Sequence, residues 1–136
     1  MPTQSDYLNV SVELGRTKYV KEIFESSGSH GFSISAMIHR SVELGHYELV
    51  LYLLSVKRLN NREVLKPLLL ACKSGEVKCA RYLFAYLDPK YTPDGVFQDI
   101  MLACRKHAKI FNYILNNKRF KPNIRRLRGD LQVFVR

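Results

Sequence analysis

Four times along this chain a short apolar-periodic segment runs into a small-residue pentapeptide, and a second such segment follows. S-V-E-L-G stands at Ser11 to Gly15 and again at Ser41 to Gly45, 30 positions on. A-C-K-S-G follows at Ala71 to Gly75 after another 30, and A-C-R-K-H at Ala103 to His107 after 32. The fourth copy aligns His107 with the glycines and needs a one-residue gap beside it. A glycine at the end of an amphipathic segment suits the left-handed residue that closes one helix and lets the chain reverse. Each copy therefore predicts a helix–turn–helix hairpin. Hairpins repeated at this period bury their apolar faces only by stacking on one another, so the pattern predicts a solenoid.

The apolar positions agree. Met37, Ile38, Ser41 and Val42 precede Gly45, and Leu49, Val50, Leu53 and Leu54 follow it, at helical spacings of three and four. The second segments elsewhere offer Tyr19, Val20, Ile23 and Phe24; Cys79, Ala80, Leu83 and Phe84; and Ile110, Phe111, Ile114 and Leu115. Ser11, Ser41, Ala71 and Ala103 are all small and would let neighbouring hairpins approach. Val12, Val42, Cys72 and Cys104 are compact and suit a core between units.

Ala36 to Leu54 resembles the ankyrin repeat, T-P-L-H-x-A-A-x-x-G-H-x-x-V-V-x-L-L-L. His39 matches the histidine, and Gly45 and His46 match the G-H turn; Lys66 to Phe84 matches at Pro67 and Gly75 but has Leu69 for the histidine. The first and fourth units match in hydrophobic pattern and small residues. The resemblance implies an all-α, ankyrin-like solenoid of about four repeats. It also implies structural hydrogen bonds by His39 at its helix start, and a concave groove lined by first helices and inter-repeat loops. The usual G-A-D-x-N loop is poorly kept in the connectors 26–33, 55–62 and 85–95. Such divergence is similar in style to ankyrin-like proteins of large DNA viruses and intracellular bacteria, which implies a host protein as partner.

The expected organisation is a repeat domain over 1–117, with units at about 6–33, 34–63, 64–95 and 96–117, and a basic extension over 118–136. Ser5 or Asp6 is expected to cap the first helix, Ser33 or Ser35 the second unit's opening helix, and Pro67 to sit in the first turn of the third's. The fourth unit's helices are expected from about Val96 to Lys106 and Lys109 to Asn116. Pro122 and Gly129 argue against one long helix in the extension, and the alternation from Leu131 to Arg136 reads as a short strand or packed loop.

Charge is uneven. Residues 1–68 carry eight Lys/Arg and seven Asp/Glu, whereas residues 69–136 carry fourteen and five, so nearly all of the net +10 lies in the second half. This asymmetry points to an acidic protein, nucleic acid or an anionic surface. No apolar run approaches the roughly 18 residues of a membrane span. The N-terminus, M-P-T-Q-S-D-Y, shows no basic stretch followed by an apolar one. Three cysteines, all at expected helical positions, favour buried thiols and an intracellular protein, cytoplasmic or nuclear.

Cys72, Cys79, Cys104, His39 and His107 lack C-x-x-C or H-x-x-x-H spacing, and no phosphate-binding glycine loop is present. No metal, cofactor or catalysis is expected. Two binding surfaces are. Matching first-helix positions form one row of Val10, Arg40, Leu70 and Leu102 and another of Glu13, Glu43, Lys73 and Arg105, turning from acidic to basic. A groove of that kind orients a protein partner by charge; its expected contacts are Arg40, Glu43, Leu70, Lys73, Leu102 and Arg105. The alternative is nucleic-acid binding through Lys118, Arg119, Lys121, Arg125, Arg126 and Arg128, interleaved with Phe120, Ile124 and Leu127.

Overall fold

The computed structural model describes residues 3–29 and 31–134 and is all-α. Its helices are α1 (Gln4–Glu13), α2 (Thr17–Ser27), α3 (Ile34–Glu43), α4 (Tyr47–Val56), α5 (Asn61–Ser74), α6 (Val77–Phe84), α7 (Asp94–Ala103), α8 (Ala108–Leu115) and α9 (Lys121–Phe134). Short 3-10 turns lie at Pro89–Tyr91 and Lys118–Phe120. The helices stack in two columns. First helices pack α1 on α3, α3 on α5, α5 on α7 and α7 on α9, while second helices pack α2 on α4, α4 on α6 and α6 on α8. The core runs between the columns as one cluster, from Leu8 and Val12 through Ile38, Val42, Leu68 and Cys72 to Ile100 and Cys104, all buried.

Capping places the helix starts. Thr3, not Ser5 or Asp6, caps α1: its hydroxyl accepts from the Asp6 amide at 3.2 Å, and Asp6 reaches back to the Thr3 amide at 2.7 Å. Ser33 caps α3, accepting from the Ala36 amide. Asn60 and Glu63 form a second reciprocal box, so α5 starts at Asn61 and Pro67 lies inside it rather than in its first turn. Proline there removes one intrahelical donor, which leaves the Glu63 carbonyl without its usual partner. The Pro67 ring is buried in the core. Pro93 precedes Asp94, and α7 accordingly starts earlier and ends earlier than the periodicity suggests.

The turns explain the repeated glycine. Gly15, Gly45 and Gly75 adopt φ of 67°, 74° and 75°. Each lets the next amide close on the small residue of the preceding helix: Arg16 on the Ser11 carbonyl at 2.8 Å, His46 on Ser41 at 2.9 Å and Glu76 on Ala71 at 3.0 Å. The fourth turn corrects the register read from sequence. His107 begins α8 as His46 begins α4, so it corresponds to His46 rather than to a glycine. Its amide closes on the Cys104 carbonyl, only three residues back, at 2.9 Å, where the other turns close over five, and no left-handed residue is needed.

Small residues pack as expected. The Ser11 and Ser41 hydroxyls donate to the Tyr7 and Met37 carbonyls of their own helices at 2.8 and 2.7 Å, so both lie buried with their polar need met. The extension departs from expectation: it is helical over Lys121–Phe134, not strand or loop. Pro122 is the helix's second residue, where a missing N–H costs nothing. Phe120, Asn123, Ile124 and Leu127 are buried, and packing on α7 outweighs the helix cost of Gly129. Val135 and Arg136, the end of the expected alternation, lie outside the described residues.

Each turn glycine also receives a side chain of the next unit. A Cβ on Gly75 would lie 2.6 Å from the His107 ring, whereas one on Gly45 would lie 3.2 Å from the Glu76 carboxylate, which is free to swing away. Gly45→Ala and Gly75→Ala share the same left-handed penalty, about 1 kcal/mol. Gly75→Ala is expected to cost about 1–2 kcal/mol more, because a ring held by a hydrogen bond cannot move freely. Urea unfolding of the two variants measures the difference, and equal losses would refute the ring contact.

Candidate functional site

The open edge of the first-helix column carries both charged rows. Val10 and Leu102 are each 56% exposed, Arg40, Glu43, Lys73 and Arg105 are exposed, and Leu70 is half-buried. Stacking offsets the rows so that a residue of one meets a residue of the other from the preceding unit. Arg40 Nε and Nη2 donate to Glu13 Oε1 and Oε2 at 2.7 and 2.8 Å, and Arg40 Nη1 lies 3.6 Å from Glu43 Oε2. The Arg40 bonds hold the Glu13 carboxyl below its usual range. By the same offset Lys73 and Leu102 line one cleft of about 470 Å³ between α5 and α7, together with Leu69, Asp99, Ala103 and the turn Arg105, Lys106 and His107.

The histidines at the turns build this edge. His46 Nε2 donates to the Glu13 carbonyl and His107 Nε2 to the Lys73 carbonyl, both at 3.0 Å. Each ring thereby covers the last turn of the preceding first helix. His39 does not make the helix-start bond that the repeat pattern implies. It lies in mid-helix, its Nδ1 has no hydrogen-bond partner, and its Nε2 is 4.0 Å from Glu43. Because Ser33 starts α3 well upstream, the amides near His39 are already engaged within the helix.

The basic segment is divided in its use. Arg119 donates to the Leu87 carbonyl at 2.7 Å and to the Phe84 carbonyl at 3.0 Å, closing the end of α6. Arg126 pairs with Asp94, which also accepts from Asn123 at 2.9 Å, and these bonds hold the Asp94 carboxyl below its usual range. Lys118, Lys121, Arg125 and Arg128 are exposed and form no ion pair among the described residues. Phe120, Ile124 and Leu127 face the core, so they are not interleaved on a binding surface.

The three thiols are free and buried. A hydrogen bond with Cys104 and burial push the Cys72 thiol up, and burial pushes Cys79 up to about 11, so neither is a thiolate at neutral pH. Among the described residues no group of three or more His, Cys, Asp or Glu is placed to hold a metal, and no helix is long and apolar enough to cross a membrane.

Of the six groove residues expected from periodicity, Lys73, Leu102 and Arg105 line this cleft; Leu69, Asp99, Lys106 and His107, which line it with them, were not among the six. A family model described as ankyrin repeats, in three copies, matches residues 38–126. No curated protein matches, and no solved structure matches.

Two measurements follow from these pairings. Arg119→Ala is expected to destabilise by about 1–2 kcal/mol, since it leaves the Leu87 carbonyl without its bond and the Phe84 carbonyl with the Leu87 amide alone, while Arg125→Ala is expected to stay within about 0.5 kcal/mol. Chemical denaturation checks both. Glu13 titrates below its unfolded-state value because of Arg40. Its stabilisation is therefore full above about pH 5 and lost as pH falls through the lowered value. Arg40→Gln should melt below wild type at neutral pH and converge with it in acid; parallel melting curves at all pH values would contradict the pairing.

Proposed function

The chain belongs to the ankyrin repeat family, and from that premise we propose a non-enzymatic protein-binding module whose partner lies across the open face of the first-helix column and the inter-unit turns. Ankyrin repeats are scaffolds suited to protein interaction, and the carrying observation is local. Leu102, more than half exposed, stands over the cleft between α5 and α7 with Lys73 and Arg105 beside it. An exposed aliphatic side chain ringed by cations, on helices locked by neighbours, supplies an apolar anchor with a polar rim. The groove contacts are Arg40, Glu43, Leu70, Lys73, Leu102 and Arg105. Buried, unpaired thiols support an intracellular setting.

A second reading rests on α9. Lys121, Arg125 and Arg128 follow one another at helical spacing, are exposed, and with Lys118 form a basic edge suited to phosphates. The loss of Arg119 and Arg126 to internal bonds leaves this surface smaller than the sequence suggests.

Affinity capture from lysate with nuclease treatment separates the two. The expected outcome is a nuclease-resistant protein retained by the Arg125→Ala/Arg128→Ala variant and lost, more than about tenfold, with Leu70→Asp/Leu102→Asp. Circular dichroism verifies that both variants fold. Recovery that vanishes with nuclease or with the α9 variant would replace the groove reading by the nucleic-acid one.

A further inference from the structure

We infer that the basic half of the open face takes an acidic, extended peptide segment carrying one aliphatic anchor, an inference that rests on the protein-binding reading above. The charges along the face are not equivalent. In the first two units Arg40 sits between Glu13 and Glu43 and pairs with both, so that half is internally satisfied. In the next two, Lys73, Arg105 and Lys106 form no ion pair among the described residues; the Arg105 guanidinium donates to the Leu102 carbonyl at the end of α7, at 3.3 Å. The gradient in the sequence is therefore a division in the structure, from neutralised to open charge.

The open cations surround a place to bind. Leu69, Leu102 and Ala103 contribute apolar surface to the 470 Å³ cleft, and Asp99 is the acid among its lining residues. Three cations, one carboxylate and two helix C-termini, each worth about half a negative charge, leave the cleft positive by about one charge. The His107 ring donates to the Lys73 carbonyl and so fixes the turn that presents Arg105 and Lys106.

This chemistry favours a peptide over a nucleic acid. Asp99 accepts a hydrogen bond from a peptide N–H, whereas a phosphodiester backbone has no donor to offer it and is repelled. The apolar surface is aliphatic and provides no stacking platform for bases. A carboxylate on either side of one leucine-like residue reaches Lys73 and Arg105 while the apolar side chain enters beside Leu69 and Leu102. Long-range attraction of such a segment weakens as salt rises.

Random peptides displayed on phage and selected on the full chain test the inference, with synthetic copies of the enriched peptides measured by fluorescence anisotropy. The expected result is enrichment of Asp and Glu flanking an aliphatic residue. Binding should fall at least about tenfold in Lys73→Glu/Arg105→Glu, fall with ionic strength, and survive Lys109→Glu, a charge reversal on α8 outside the face. Enriched peptides without acidic residues, lost in Leu70→Asp, would overturn this inference and leave the protein-binding reading standing. Tighter binding of a mixed-sequence oligonucleotide through the same cations would also overturn it. Recovery of no peptide, with no capture difference for the groove variant, would remove both.

Discussion

Everything in this molecule depends on how closely one helical hairpin approaches the next. The contact is made at a turn, where a left-handed glycine ends a first helix and leaves a space that a Cβ would fill. Into that space comes the first residue past the next unit's turn: His46 over Gly15, Glu76 over Gly45, His107 over Gly75. The two histidines also satisfy a carbonyl at the exposed end of the preceding helix, where helix geometry leaves acceptors without partners. In the second and fourth units that position thus does the work of a cap for the repeat before it. The small residues Ser11, Ser41 and Ala71 let first helices close up, and the stacked apolar faces become one continuous core.

The same approach produces the candidate site. When units stack, a side chain from one lands beside a side chain one turn further along the preceding helix. Offset in this way, Arg40 falls on Glu13 and Leu102 falls beside Lys73. Two rows that look parallel in sequence become a series of diagonal pairs. Whether a pair closes or stays open depends on which residue types meet. A guanidinium against a carboxylate closes, and an ammonium beside a leucine stays open to a partner.

Much of the fold could be read from the chain because it depends on local periodicity. Apolar spacings of three and four, glycine at helix ends and a near-constant repeat length point to an all-α stack of short helices, which is the fold observed. Where the reading failed, a longer-range effect had intervened. His107 looked like a glycine substitute because counting along the pentapeptide puts it at the glycine position, while the helix that follows shows that it stands where His46 does. The α5 start was missed because the Asn60–Glu63 box adds helix upstream of Pro67. The extension looked irregular because Pro122 and Gly129 weigh against a helix locally, while Phe120, Ile124 and Leu127 gain more by covering α7 and α6. Polar bonds at that end act together: Asn61 holds the Asp88 backbone and the Thr92 hydroxyl, Asn123 donates to the Thr92 carbonyl and Asp94, and Arg126 completes the set. They join residues some 30 positions apart, beyond any local pattern.

The sequence by itself determined that this chain is a stack of helical hairpins, because repeat length, helical periodicity and glycine placement are properties of neighbouring residues. It also set the excess of positive charge in the second half. Only the tertiary structure decided which of those charges remain available. Arg40 and Arg126 are held by carboxylates and Arg119 by two carbonyls of another unit, while Lys73, Arg105 and Lys106 form no ion pair among the described residues around the cleft between α5 and α7. The reason is physical: a formal charge belongs to a residue, but its availability depends on the groups that stacking brings within hydrogen-bonding reach.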